Sequence, residues 1–244
     1  MEDFGELMTS KAREIGCLNT TFKNSHGLDS EGHISTAYDM AVITSYLYNN
    51  KILKEIINTK VASIKINDKT VNLKNTNRLL KTNNYVTGGK TGYTGNADRC
   101  LAITAKKDNF NISVVVLGAV NTDIRFDTAN DLVNSTFEKY NIYNLDDKLN
   151  WNINIPVTKG VNKNYTDNYI EKLNIPLTKE ENSKLVIKEN IIKSLNAPVE
   201  KNKYIGNIEV KIDKETILYK SLYTTYDIKK MNISDYFKLI TSGI

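Results

Sequence analysis

The chain is poor in residues that would cross-link it or bind a metal. Its 244 residues include two cysteines, Cys17 and Cys100, two histidines, His26 and His33, and three prolines. Two cysteines so far apart do not make a disulfide framework. Neither histidine has a Glu or Cys at ligand spacing, so no metal site is expected. His26, beside Gly27, reads as a loop residue making structural hydrogen bonds. No apolar run approaches the 18 or so residues of a membrane-spanning helix, and no signal-peptide pattern opens the chain. An excess of charge is also missing: 33 Lys and Arg face 28 Asp and Glu, a net charge of +5. That is too slight a surplus to nominate nucleic acid as a partner.

Two regimes of periodicity are present. In the first, apolar residues recur at helical spacing. Residues 2–15 carry Phe4, Leu7, Met8, Ala12 and Ile15 on one stripe, with Gly16 as C-cap. Thr36 and Asp39 have capping-box spacing before a helix running to Tyr48, whose buried side is Ala37, Met40, Ala41, Ile43, Thr44 and Leu47. A short helix over residues 53–58 and a hairpin turning at Asp68-Lys69 follow. Residues 122–140 predict a long helix with Ala129, Leu132, Val133, Thr136, Phe137 and Tyr140 on one side. Arg125 falls in its first turn, where the helix dipole disfavours a cation. From Trp151 onward the pattern becomes short alternating runs (NINIPV, YIEKLNIPL, SKLVIKE, YIGNIEVKI, ETILYKSLY), with Pro156, Pro176 and Pro198 at run ends. That spacing predicts a small β-sandwich. The expected organisation is residues 1–145, 146–227, and a tail over 228–244.

The stretch with chemical character is VTGGKTGYTGNADR, residues 86–99. Lys90-Thr91-Gly92 reads as the start of the first of three consecutive antiparallel strands, an edge strand whose glycine lets a ligand backbone lie close. Lys-Thr-Gly is one of the signatures of penicillin-interacting serine enzymes.

Several motifs in one order make the chain resemble the low-molecular-weight penicillin-binding proteins, serine-type D-alanyl-D-alanine carboxypeptidases of the DacA/DacF kind. They are Asn24 with His26-Gly27-Leu28, then Ser35-Thr36-Ala37-Tyr38-Asp39, Asn75-x-Asn77-x-Leu79-Leu80, Lys90-Thr91-Gly92, Arg99-Cys100-Leu101 and Val116-Leu117-Gly118-Ala119. The resemblance runs to about Asp227. It implies an α+β fold: part of a β-lactamase-like transpeptidase domain with an antiparallel sheet, then the β-sandwich. It also implies an acyl-enzyme peptidase outside the cytoplasmic membrane, acting on peptidoglycan pentapeptides ending in D-Ala-D-Ala, inhibited by β-lactams and using no cofactor.

By the same resemblance, Lys90 raises the positive potential beside the nucleophile and joins proton transfer. Thr91 and Arg125 hold the terminal carboxylate, Gly92 leaves room for the peptide, and the Tyr93 N–H forms part of the oxyanion hole. One departure is plain: the family's nucleophile lies in Ser-x-x-Lys, followed by Ser-x-Asn, and no Ser-x-x-Lys occurs in this sequence. Thr20, Thr87 and Thr104 have the spacing with Thr in place of Ser, while Ser194-Leu195-Asn196 falls in the wrong domain. The expectation is therefore the C-terminal portion of such an enzyme, with an inactive fragment or a non-catalytic wall-binding protein as the alternative. In the tail, Ile233, Phe237 and Ile240 recur at helical spacing among Lys229, Lys230 and Lys238. They resemble the start of the family's amphipathic anchor, which would give a peripheral membrane contact.

Overall fold

The structure is a computed structural model that describes residues 2–149, 152–168 and 173–241. Trp151, residues 169–172 of the predicted run YIEKLNIPL, and residues 242–244 of the tail lie outside the described residues. The chain divides into two compact units, Met1–Lys139 and Tyr140–Ile244.

The first unit opens with α1 (Glu2–Glu14), α2 (Ala37–Tyr48) and α3 (Lys51–Asn58), then the antiparallel pair β1 (Val61–Ile66) and β2 (Lys69–Lys74). A short α4 (Leu79–Thr82) leads into β3 (Val86–Thr94), β4 (Asp98–Lys107) and β5 (Phe110–Ala119), a three-stranded antiparallel sheet in that order, closed by α5 (Thr122–Lys139). Alternate residues of a strand share a face. Leu101, Ile103 and Ala105 of β4 thus join Val114 of β5 and Phe126, Ala129, Val133 and Phe137 of α5 in one core. Leu79, Leu80 and Val86 complete it.

Several predicted details differ. β3 begins at Val86 rather than at Lys90, because Gly88 and Gly89 already pair with β4. A Cβ on Gly88 would sit 2.7 Å from the Ile57 side chain. One on Gly89, whose φ is +141°, would run into the Ala102 carbonyl. Close packing therefore demands both glycines. The capping box at α2 is half made: Thr36 accepts from the Asp39 N–H, but the buried Asp39 carboxylate accepts from the Asn19 N–H and the Thr20 hydroxyl instead. The predicted buried side of α2 contains only one fully buried residue, Thr44, and Ala37 is exposed. On α5, Leu132 is exposed, Tyr140 lies past the helix end, and Phe126 takes the buried place that the periodicity did not assign.

The second unit holds β6 (Asn141–Asn144), a 3-10 turn, β7 (Asn152–Thr158), β8 (Asn164–Asn168), β9 (Asn174–Leu177), α6 (Lys179–Ser183), β10 (Leu185–Ile191), β11 (Leu195–Asn196), β12 (Tyr204–Ile212), β13 (Glu215–Tyr223) and α7 (Ile233–Thr241). Two three-stranded sheets, β11-β7-β8 and β10-β12-β13, share one core built from Ile153, Ile155, Val157, Tyr165, Ile205, Ile208, Val210 and Leu222. The strict alternation of β7 puts its three isoleucine and valine side chains inward and its asparagines outward. Pro156 and Pro176 lie within β7 and β9 rather than at run ends. Pro176 is tolerated because β6 and β9 form a two-stranded sheet, in which each strand has a free edge.

Candidate active site

The sheet leaves β3 at its edge, so the strand carrying Lys90-Thr91-Gly92 has one row of backbone groups without a strand partner. Two segments brace it. Asn77, almost fully buried, donates from its amide to the Gly88 carbonyl at 3.4 Å and accepts from the Leu79 N–H at 3.2 Å. Between Asn75 and Asn77, the Thr76 hydroxyl lies 2.7 Å from the Thr91 hydroxyl. The Asn-x-Asn stretch is therefore a clamp on the Lys-Thr-Gly strand, and its middle residue reaches the site.

Lys90 is exposed, and its ammonium donates to the Thr91 carbonyl. Gly92 pairs with Cys100 across the ladder, and a Cβ there would meet only the Cys100 Cβ at 3.6 Å, an ordinary contact. The fold itself has room for a side chain at Gly92. Tyr93 is exposed, and the Arg99 guanidinium lies 4.9 Å from its ring centroid. Arg99 is held in turn by the Thr122 hydroxyl and the Val120 carbonyl.

Arg125, in the first turn of α5, is only 8% exposed. Its Nη1 donates to the Gly92 carbonyl at 3.2 Å and to the Cys100 carbonyl at 3.3 Å, while its Nε–H is buried without a partner. Among the described residues no carboxylate pairs with it; Asp123 and Asp127 of the same helix pair with Arg78. Burial pushes its pKa down, and the neighbouring Arg99 and Arg78 push the same way against an opposing contribution from Cys100. A guanidinium so held stays protonated at neutral pH. The result is a fixed positive charge under a strand edge that already carries Lys90.

The structure thus brings Lys90, Thr91, Gly92, Tyr93 and Arg125 together on or beside one strand. It does not offer a threonine in place of the serine. Thr20 and Thr104 are buried, hydrogen-bonded to Asp39 and Thr87 respectively, and Thr87 is spent on Thr104. His26 accepts from the Leu28 N–H and His33 from the Lys23 N–H, both as loop-bracing residues. Sequence reasoning gave no role to Thr76 or Arg99. The signal for Thr76 was its place inside Asn75-x-Asn77.

Residues 1–121 match the D-alanyl-D-alanine carboxypeptidase family, and residues 137–230 match the C-terminal domain of penicillin-binding protein 5. The chain belongs to the D-alanyl-D-alanine carboxypeptidase family. It is 34% identical over 239 residues to the D-alanyl-D-alanine carboxypeptidase DacF of Bacillus subtilis, covering 97% of this chain and 61% of that protein. Over 250 residues it is 28% identical to the carboxypeptidase DacA of Escherichia coli, covering 97% of this chain and 60% of that one. The fold matches penicillin-binding protein 5 of Haemophilus influenzae with a TM-score of 0.80 at 24% identity, over 94% of this chain and 67% of that structure. This member of the carboxypeptidase family therefore spans about 60% of the length of these curated relatives.

Proposed function

We propose that this chain supplies the Lys-Thr-Gly wall of the cleft of a serine-type carboxypeptidase that removes the terminal D-Ala from peptidoglycan stem peptides in the cell envelope. The observation that supports this most directly is Arg125, a buried guanidinium with no carboxylate partner among the described residues, set against the edge strand of Lys90-Thr91-Gly92. A buried cation costs free energy unless an anion completes it. The carboxylate of a D-Ala-D-Ala terminus, or of a β-lactam, is such an anion.

In this reading the substrate lies antiparallel along β3. Gly92 admits its backbone, the Thr91 hydroxyl donates to the terminal carboxylate, and Arg125 supplies the compensating charge. The Tyr93 N–H would contribute one donor to the tetrahedral oxyanion. Lys90 lowers the cost of anionic charge at that position. These groups bind and polarise. The attack itself requires a serine and its lysine, which by the family pattern lie in Ser-x-x-Lys. The exposed apolar side chains of α7, Ile233, Phe237 and Ile240, add a peripheral membrane contact to the proposal.

The test has two arms. The 244-residue chain, incubated with benzylpenicillin, is expected to show no acyl adduct by intact-mass spectrometry and to release no D-Ala from diacetyl-Lys-D-Ala-D-Ala. Joining to it the N-terminal segment of the Bacillus subtilis relative should restore both activities, and Lys90→Ala should remove them again. An adduct on the chain alone, or a joined protein that binds penicillin equally well with Lys90→Ala, overturns the reading.

A further inference from the structure

Residues 51–74, comprising α3 and the β1–β2 hairpin, have no buried residue, and only Lys54 and Ile57 are even half-buried. The segment is not polar to match. On α3, Ile57 packs against Gly88 of β3, while Ile52, Leu53 and Ile56 stay exposed. The hairpin register pairs Ala62 with Leu73, Ile64 with Val71, and Ile66 with Lys69. Alternation in a strand puts these six residues on one face. That face is therefore apolar except for Lys69 at its tip. Ile66, beside the tip, is 53% exposed. The opposite face carries Ser63, Lys65, Thr70, Asn72 and Lys74, with one apolar residue, the exposed Val61, opposite Lys74, and with Ser63 donating to Asn72 across the strands.

Charge is concentrated in the same place. The segment holds Lys51, Lys54, Lys60, Lys65, Lys69 and Lys74 against Glu55 and Asp68. Most of the chain's small positive surplus therefore sits in about a tenth of its length. Two such surfaces repel each other, which argues against a second copy as the occupant. The segment also has no Trp, Tyr, Phe, Met or Arg, the residues that anchor protein interfaces. Aliphatic side chains on one face with lysines around them fit a surface that is apolar below and negative at its rim.

We propose that the β1–β2 hairpin and α3 form a membrane-docking surface that seats on an anionic lipid bilayer. Ile64, Ile66, Val71 and Leu73 enter the headgroup–acyl boundary, while the lysines contact acidic headgroups. The site is separate from α7 in sequence and does not depend on the catalytic reading.

The experiment is flotation of the full chain with vesicles of phosphatidylglycerol and phosphatidylcholine, or of phosphatidylcholine alone. Variants are Ile64→Ser/Ile66→Ser, Lys65→Glu/Lys69→Glu, and, to remove the α7 contribution, Phe237→Ser/Ile240→Ser. All these side chains, Lys69 in the apolar row included, are exposed, so the fold should tolerate each change, as circular dichroism will show. Each hairpin pair is expected to lower association with the anionic vesicles about tenfold, with the α7 pair present or absent, and phosphatidylcholine alone should retain little. Ile66→Trp gives an independent readout: its emission should shift to the blue and be quenched by brominated lipid, beyond any change in the parent. Hairpin variants that bind like the parent overturn the proposal. So do a loss confined to the lysine pair, which would mark a soluble polyanion rather than a bilayer, a concentration-dependent dimer abolished by the isoleucine pair, and an unquenched Ile66→Trp.

Discussion

Arg125 reaches from the first turn of α5 to the carbonyl of Gly92, 3.2 Å away, and so ties a buried positive charge to the backbone of the Lys-Thr-Gly strand. The contact is poorly explained as a stabilising one. A cation at a helix N-terminus is disfavoured by the dipole, burial lowers its pKa, and its Nε–H finds no acceptor. Residues in such positions are retained for binding more readily than for stability.

Arg125→Met should therefore leave stability unchanged or raise it by about 1 kcal/mol, since an apolar chain of similar length removes an uncompensated charge. The same variant in the joined, active protein should lose about 2–4 kcal/mol of transition-state stabilisation on a peptide with a free terminal carboxylate, and much less on its amide. Urea denaturation and kcat/KM on the two peptides measure both. A stability loss above about 2 kcal/mol would make the guanidinium a structural residue.

Gly89 and Gly92 should respond oppositely to alanine. At Gly89 the added methyl meets the Ala102 carbonyl in a backbone conformation, φ +141°, that L side chains rarely adopt, and a cost above about 3 kcal/mol is expected. At Gly92 the methyl has space and the backbone is ordinary, so Gly92→Ala should keep or slightly improve the melting temperature. It should still weaken turnover, because the methyl stands where the peptide lies. Loss of stability at Gly92 would remove the ligand-clearance argument.

These two glycines also show how far the sequence could be read. Lys90-Thr91-Gly92 and the strands after it were legible because β-branched and apolar residues follow in two clear runs. Gly88 and Gly89 were not, since glycine has little strand propensity of its own and only the packing against Ile57 and Ile103 shows why they stand in the strand. Asp39 looked like a capping residue by spacing, yet its carboxylate serves Asn19 and Thr20, partners that no local pattern reveals. β8 was missed for a related reason: NYTDN is polar, and its fully buried Tyr165 owes its place to the core it shares with β7 and to a bond from the Thr225 N–H sixty residues away. Arg125 was visible as an anomaly of charge and position, but its lack of a carboxylate partner is a fact of three dimensions.

The α7 side chains Ile233, Phe237 and Ile240 are exposed, with Lys238 in the last turn. Among the described residues no helix is long and apolar enough to cross a bilayer, so a contact through α7 would lie in the interface. Phe237→Ser/Ile240→Ser should reduce association of the full chain with phosphatidylglycerol vesicles several-fold, and more at low salt than at physiological salt when Lys229→Gln/Lys230→Gln is compared. Unchanged sedimentation with vesicles would leave α7 without a membrane role.

Asp167 carries the pH dependence expected of the second unit. Partial burial raises its pKa, but hydrogen bonds from the Thr225 and Tyr165 hydroxyls and from the Asn168 N–H outweigh this and hold it below the ordinary 3.8. The Tyr165 hydroxyl lies 2.6 Å from the carboxylate and itself accepts from the Thr225 N–H at 3.0 Å, so the three residues close one network. A carboxyl with a depressed folded pKa contributes stability that is complete above its unfolded value and is lost as pH falls through the folded value. Stability of this unit should therefore hold down to about pH 5 and decline below 3.8. Asp167→Asn should cost about 1–2 kcal/mol at pH 7, discounted for partial solvent access, and flatten the decline below 3.8. Urea titrations of the full chain followed by Trp151, the single tryptophan, measure both quantities. An equal pH slope in parent and variant would show that another carboxylate governs acid unfolding.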